Sequence, residues 1–232
     1  MSIFEGVRPP KVVAEFESKY NGKISVIQAG KTVKLSVNSV VQSINWDSES
    51  AQKMYWGTLV EILKKETPAL SSVLVLGLAG AALQHLISRS FVNASIVSVE
   101  IDPVMVEVGK KYFGIDTIAN HRIIIDDACR VVVEPEKFDL AEGTFDALIV
   151  DICCGSEYPD LGDTGNFIAR SRQLVKSGGL MVFNRIYLDD YQDEVNNFIS
   201  VISEYVQDVK TEVIAGKTNS DHILIYGRVQ SS

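Results

Sequence analysis

The hydrophobic pattern changes character once along the chain. Up to residue 41 the apolar runs are short and broken. Residues 23–27 and 32–37 alternate apolar and polar positions, 12–16 form another short β-type run, and Asn21-Gly22 and Ala29-Gly30 separate them. A period of two with small turn residues between runs predicts strands joined by hairpins, hence a small antiparallel sheet. A helix is expected over 48–66, where Ala51, Met54, Tyr55, Leu59, Ile62 and Leu63 recur at roughly helical spacing. Asp47 or Ser48 can cap its start, and Pro68 lies beyond its end.

After Pro68 continuous apolar runs take over. Strands are expected at 72–76, 95–99, 122–125, 147–150 and 180–183, with helices at 81–90, 103–112 and 167–175. A longer helix over 190–205 and a strand pair at 209–214 and 222–226 complete the pattern. A strand that is apolar throughout is buried on both faces, so such runs alternating with helices predict a mostly parallel sheet covered on both sides. The fold class is therefore α/β. A small N-terminal β domain occupies 1–46 and a Rossmann-like domain occupies 47–232.

Composition narrows the class. Of 232 residues, 46% are hydrophobic and 22% charged, the balance of a folded protein with a substantial core. The formal charge of −8 argues against nucleic acid or an anionic membrane surface as partner. No run approaches the ~20 apolar residues that span a bilayer, and the N-terminus has no apolar run of signal-peptide length. Three cysteines, Cys129, Cys153 and Cys154, are no disulfide framework and point to a reducing, cytoplasmic compartment. The adjacent pair does not have zinc-site spacing and no histidine is near it in sequence, so no metal site is expected.

In an open α/β sheet, ligands lie beyond the carboxyl ends of the strands. The residues at those ends are Gly77-Leu78-Ala79-Gly80-Ala81-Ala82, then Glu100-Ile101-Asp102, then Asp126-Asp127, then Asp151, then Asn184-Arg185. Acids at three successive strand ends suit a nucleoside. Gly77, Ala79 and Gly80 form a small-residue turn that lets a ligand approach the backbone. Glu100 lies 23 positions after Gly77, the spacing of a carboxylate that accepts both ribose hydroxyls. Asp127 suits an adenine amino group, with Asp126 as the competing choice. A dinucleotide fingerprint needs glycine where Ala79 and Ala82 stand, so a nicotinamide cofactor fits poorly. S-adenosyl ligands carry no phosphate and tolerate this turn.

At these residues the chain resembles the spermidine synthase family, the aminopropyltransferases on the class I S-adenosylmethionine-dependent methyltransferase fold. The resemblance runs over roughly 24–226. Its most specific stretch is Val99-Glu100-Ile101-Asp102-Pro103-Val104 leading to Gly109-Lys110-Lys111-Tyr112-Phe113. Asp126-Asp127-Ala128 is similar to the family's adenine-contact segment, and 145–151 is similar to its fourth strand. The resemblance implies a seven-stranded methyltransferase-type sheet behind the small β domain, and a homodimer. It implies S-adenosylmethionine or its decarboxylated form as donor and a small, amine-type acceptor. It carries Gln42 over as a donor contact, Gln52 to the active-site mouth, and Asp151 to the junction of donor and acceptor.

The departures from the family pattern lie on the acceptor side. The turn lacks the family's acid at Gly80, and Ala51 replaces a tyrosine. Cys154 stands where the family has the aspartate that holds and deprotonates the attacking amine. Glu157 and Tyr158, with Asp160 and Asp163, lie on the following loop and either replace that acid or remain solvated. Two readings stay open: a transferase moving a methyl or aminopropyl group, and a non-catalytic relative that keeps the fold and the nucleoside.

Overall fold

A four-stranded sheet and a seven-stranded sheet organise the chain, in a computed structural model that describes residues 9–153, 164–187, 192–215 and 221–230. The first sheet is an antiparallel meander of β1 (Lys11–Ser18), β2 (Gly22–Ala29), β3 (Thr32–Val37) and β4 (Val40–Ile44). Its alternation works as the sequence predicts. Ile24, Val26, Leu35 and Val37 are buried on one face, while their neighbours Lys23, Ser25, Ile27 and Lys34 are less buried and Ser36 is covered on the other side. That inner face packs on Met105, Val108 and Phe113 of a helix in the second layer.

The second sheet contains β5 (Ser72–Leu76), β6 (Ser95–Glu100), β7 (His121–Ile125), β8 (Phe145–Val150), β9 (Val175–Ile186), β10 (Val206–Ile214) and β11 (His222–Val229). Its order is β10-β11-β9-β8-β5-β6-β7. The five strands from β7 across to β9 run parallel, and β11 and β10 add antiparallel at the other edge. The central strands are buried on both faces. In β5, Val73 and Val75 join one core, and Leu74 and Leu76 join the other. The first core holds α1 (Tyr55–Glu66) and α2 (Ala82–Ser90), the second α4 (Ala128–Val133), α5 (Thr164–Leu174) and α6 (Gln192–Ser203). Between them in sequence, α3 (Pro103–Phe113) carries the small sheet. No helix among the described residues is long and apolar enough to cross a membrane.

Three expectations are corrected. The helix expected from residue 48 starts at Tyr55, after a separate 3-10 turn over Ala51–Lys53 and an extended Met54. The expected caps are spent elsewhere: Ser48 Oγ accepts from Ser50 N, and Asp47 accepts from the Asn45 amide. The helix expected to run through residue 175 ends at Leu174, and β9 starts directly after it, with Gly178 left-handed inside the strand. The short α4 was not foreseen. Six residues give too little helical periodicity to read, and its start is set by Asp127 capping Cys129 N.

One buried carboxylate ties the two sheets together. Asp102, fully buried, accepts from Ser18 Oγ and Asn21 Nδ2 at the β1–β2 turn and from Val104 N at the start of α3. Its own amide donates to Glu100 Oε1 at 3.0 Å. The small sheet is thus bonded to the segment that follows β6.

Candidate active site at the strand ends

The turn after β5 is built on close approach. Gly77 has φ +105°, and a Cβ on it would lie 2.1 Å from the Asp151 carbonyl oxygen. Only glycine lets the ends of β5 and β8 come this near. Ala79 and Ala81 follow with φ +46° and +58°, the left-handed region that costs a non-glycine residue about 1–2 kcal/mol. A Cβ on Gly80 would lie 2.8 Å from both Cβ and Oγ of Ser43 on β4. The position where the resemblance has an acid is therefore closed by a serine from the small sheet.

Glu100 ends β6 beneath this turn. Its Oε2 accepts from Ala79 N at 3.3 Å, and its Oε1 accepts from Asp102 N. Burial raises its pKa to about 7, against the opposing pull of the backbone amides. Across the next strand end, Asp127 is exposed and its Oδ1 accepts from Cys129 N at 2.8 Å. Asp126 pairs with Arg130 at 2.9 Å. Ile101 and Ile125, 38% and 51% exposed, stand beside these acids.

The other half of the cleft centres on Asp151 after β8. Tyr55 Oη donates to its carboxylate at 3.0–3.1 Å, and Asn184 Nδ2 on β9 donates to Oδ1 at 2.8 Å. Because that amide nitrogen must face the carboxylate, Asn184 Oδ1 faces His222 Nδ1, 3.0 Å away. His222, on β11, therefore donates through Nδ1, and its ring stacks on Tyr55 at 4.3 Å. Burial raises the Asp151 pKa, while the bonds from Asn184 and Tyr55 oppose it. Burial, then the nearby Asp151 charge, pushes the Tyr55 phenol well up, and burial takes His222 down to about 4. Tyr55 is thus a neutral donor and His222 a neutral ring at physiological pH. On the β4 side, the Cys153 thiol donates to Gln42 Oε1 at 2.8 Å.

Gln42, Ala79 and Asp151 line one small cavity, about 20 Å³, room for a single water molecule. Gly77 and Glu100 lie against its turn, and Gly80 against Ser43 of its lining. Asp127 stands one strand further out. Gln52 is exposed in the 3-10 turn, and from this segment Tyr55 and Trp56 line the cavity instead. Cys154, Glu157 and Tyr158 lie outside the described residues, as do Asp160 and Asp163. Sequence reasoning missed Tyr55, which was counted as an apolar helix position, and His222. Asn184 was noted only as a strand end. The signal available for it was the strand-end rule itself, which applies to β9 as much as to β6.

The strand order, with a four-stranded sheet before it, defines the class: an α/β protein with a Rossmann-like, methyltransferase-type sheet. Residues 52–230 match the family described as the spermine/spermidine synthase domain, and the chain belongs to that family. A polyamine aminopropyltransferase of Vibrio vulnificus is 25% identical over 170 residues, 71% of this chain and 55% of that relative, so the match spans about half the relative's length. The spermidine synthase of Thermotoga maritima superposes with a TM-score of 0.71 at 15% identity, over 94% of this chain and 72% of that one. Human methyltransferase-like protein 13, solved with SAH, superposes with a TM-score of 0.61 at 19% identity, over 80% of this chain and 83% of that one. At these identities the two structures speak to the fold.

Proposed function

We propose that this chain is a transferase that takes an alkyl group from an adenosyl sulfonium, S-adenosylmethionine or its decarboxylated form, and passes it to a small amine-type acceptor. The observation that carries the reading is Asp151: a half-buried carboxylate beside the Gly77 turn, held by Tyr55 and Asn184 and lining a cavity. Family membership supports it.

The donor set suits such a nucleoside. The Glu100 carboxylate accepts from the backbone amides of Asp102, Ala79 and Leu78, and with about four lone-pair sites it keeps acceptor capacity for a ribose hydroxyl, the second hydroxyl taking the place of the long Ala79 bond. The exposed Ile101 and Ile125 offer apolar surface for a base, with Asp126 and Asp127 at its edge. The 20 Å³ cavity beside Asp151 is far below the ~300 Å³ of a ligand pocket, so the nucleoside belongs along the open strand ends. Bound there, the sulfonium supplies an electrophilic carbon and a neutral thioether leaving group.

The chain's own residues do the rest. Glu100 fixes the sugar and so sets where the reacting carbon lies. Asp151 orients the acceptor and takes one proton from its ammonium, which frees the nitrogen lone pair to form the new carbon–nitrogen bond as the carbon–sulfur bond breaks. An alkylamine has a pKa near that of lysine, about 10.4, so it reaches the site as a cation and has to be deprotonated before it can attack. Tyr55 and Asn184 hold the Asp151 charge in place for that step.

Ser43 closes the space at Gly80, so the turn carries no acid there for the ammonium that either donor bears, and the choice between methyl and aminopropyl transfer rests with the products. Incubating the protein with each donor and a panel of primary amines, and weighing the products, separates the two. A methyl gain from S-adenosylmethionine supports the methyl route, and an aminopropyl gain from the decarboxylated donor supports the other. Donor binding without any product would favour the non-catalytic reading.

A further inference from the structure

The geometry points to Gln84 as the residue that reads an N–H on the molecule seated beside Asp151. This rests on the transferase reading above and adds a specificity residue to it. Gln84 is on the third position of α2, only 1% exposed, and lines the same cavity as Asp151 and Tyr55. Its Nε2 donates to Gly77 O at 3.0 Å and to Ser98 Oγ at 3.3 Å.

The orientation of this amide is fixed by chemistry. Gly77 O can only accept, so the nitrogen has to face it, and both N–H groups are then used. The side chain is further held from behind, since Ser98 Oγ also lies 2.9 Å from His121 Nε2. Gln84 Oε1 is left at the other end, buried, with no partner among the described residues. A buried amide oxygen without a donor is costly, and protein interiors rarely keep one without a use.

The cavity makes the missing partner specific. Asp151 and Gln84 both line it, and the Gln84 oxygen is the buried acceptor left without a donor. Two acceptors across one small space call for an occupant with at least two donor hydrogens. A primary ammonium fits this, whereas a thioether, an ester or a tertiary amine leaves Gln84 Oε1 unmet. Gln84 therefore selects acceptors by the number of hydrogens on the nucleophilic nitrogen, while its other end braces the Gly77 carbonyl of the donor turn.

The test uses the full chain saturated with methylthioadenosine, titrated calorimetrically with 1,4-diaminobutane and with its tetramethylated form. The variants are Gln84→Met, which removes the oxygen together with the Nε2 bonds to Gly77 O and Ser98 Oγ, and Gln84→Glu, which separates the two losses. A buried glutamic acid at 84 keeps an acceptor oxygen and can keep a proton for Gly77 O. The expected result is that Gln84→Met weakens the primary diamine about tenfold or more. It leaves methylthioadenosine within about threefold, Gln84→Glu retains the diamine, and the tetramethylated form binds all three proteins equally weakly. Unchanged diamine binding in Gln84→Met overturns the assignment. So does a parallel fall of both ligands, which would make Gln84 a brace for the turn alone. Should Gln84→Met fail to fold, a crystal structure of the wild-type ternary complex decides. An amine nitrogen on Gln84 Oε1 supports the assignment, and a fixed water there overturns it. Failure of the wild type to bind methylthioadenosine defeats the transferase reading instead, and the first titration shows that separately.

Discussion

Along the ends of β6 and β7 the acids lean on backbone. Glu100 accepts from the amides of Ala79 and Asp102, and Asp127 from the amide of Cys129, with exposed isoleucines beside them. At the ends of β8, β9 and β11 the side chains hold one another instead. Asp151, Tyr55, Asn184 and His222 come from four elements and form one bonded chain behind a cavity that admits one water. An open half with acids poised at its rim suits a large, flat ligand that arrives from solvent. A closed half with a fixed charge suits a reacting group whose position has to be set to a fraction of an ångström. On the proposed reading donor binding falls to the first half and chemistry to the second, and the variants below separate the two.

The largest expected effect is at Asp151. Asp151→Asn removes the proton acceptor, so turnover falls about 10²–10⁴-fold while methylthioadenosine affinity stays within about threefold. Single-turnover rates and calorimetry on the same variant check both halves of that statement. An equal loss in binding would move Asp151 into the donor half and break the division.

Glu100 gives the next effect, through pH. With its pKa near 7, ionised Glu100 is about one molecule in eleven at pH 6 and about ten in eleven at pH 8. Affinity for uncharged methylthioadenosine should therefore rise about tenfold between those values, and Glu100→Gln should flatten the rise. Stability runs the other way. Unfolded glutamate loses its proton near pH 4.5 and the folded one only near 7, so Glu100's contribution to stability falls as pH rises through that window and is level above it. Thermal unfolding of wild type and variant across pH 5–8 reads that sign.

Tyr55→Phe is milder. Asp151 loses one of the two side-chain donors that favour its charge, so its pKa moves further up. Turnover at neutral pH should drop about tenfold, with the acid limb of the pH–rate profile shifted to higher pH. The smallest effect is at the turn. Ala79→Gly removes about 1–2 kcal/mol of left-handed strain and adds roughly 0.5–1 kcal/mol of unfolded-chain entropy, a net gain of about 0.5–1 kcal/mol readable by urea unfolding.

The open half was legible in sequence for the reason that makes it open. Strand-end acids sit at fixed offsets from apolar runs, so Glu100 and Asp127 could be placed by counting. The closed half joins residues through pairings that no local pattern encodes. Leu224 of β11 pairs with Asn184 of β9, and that register brings His222 alongside Asn184. Tyr55 presents an apolar ring at a helical position and a hydroxyl to Asp151, so periodicity reads only the ring. Gln52 was placed at the cleft by its resemblance to a family glutamine, and the extended Met54 sets it in a separate exposed turn. The small sheet was legible from its hairpins, yet its bond to the site through Asp102 was not, because Ser18 and Asn21 read as ordinary turn residues.

The most direct test of the donor assignment is a crystal structure with methylthioadenosine bound. The account predicts both ribose hydroxyls within hydrogen-bonding distance of Glu100 and the base between Ile101 and Ile125. A nucleoside bound elsewhere, or a strand-end cleft that stays empty at saturating ligand, would contradict it.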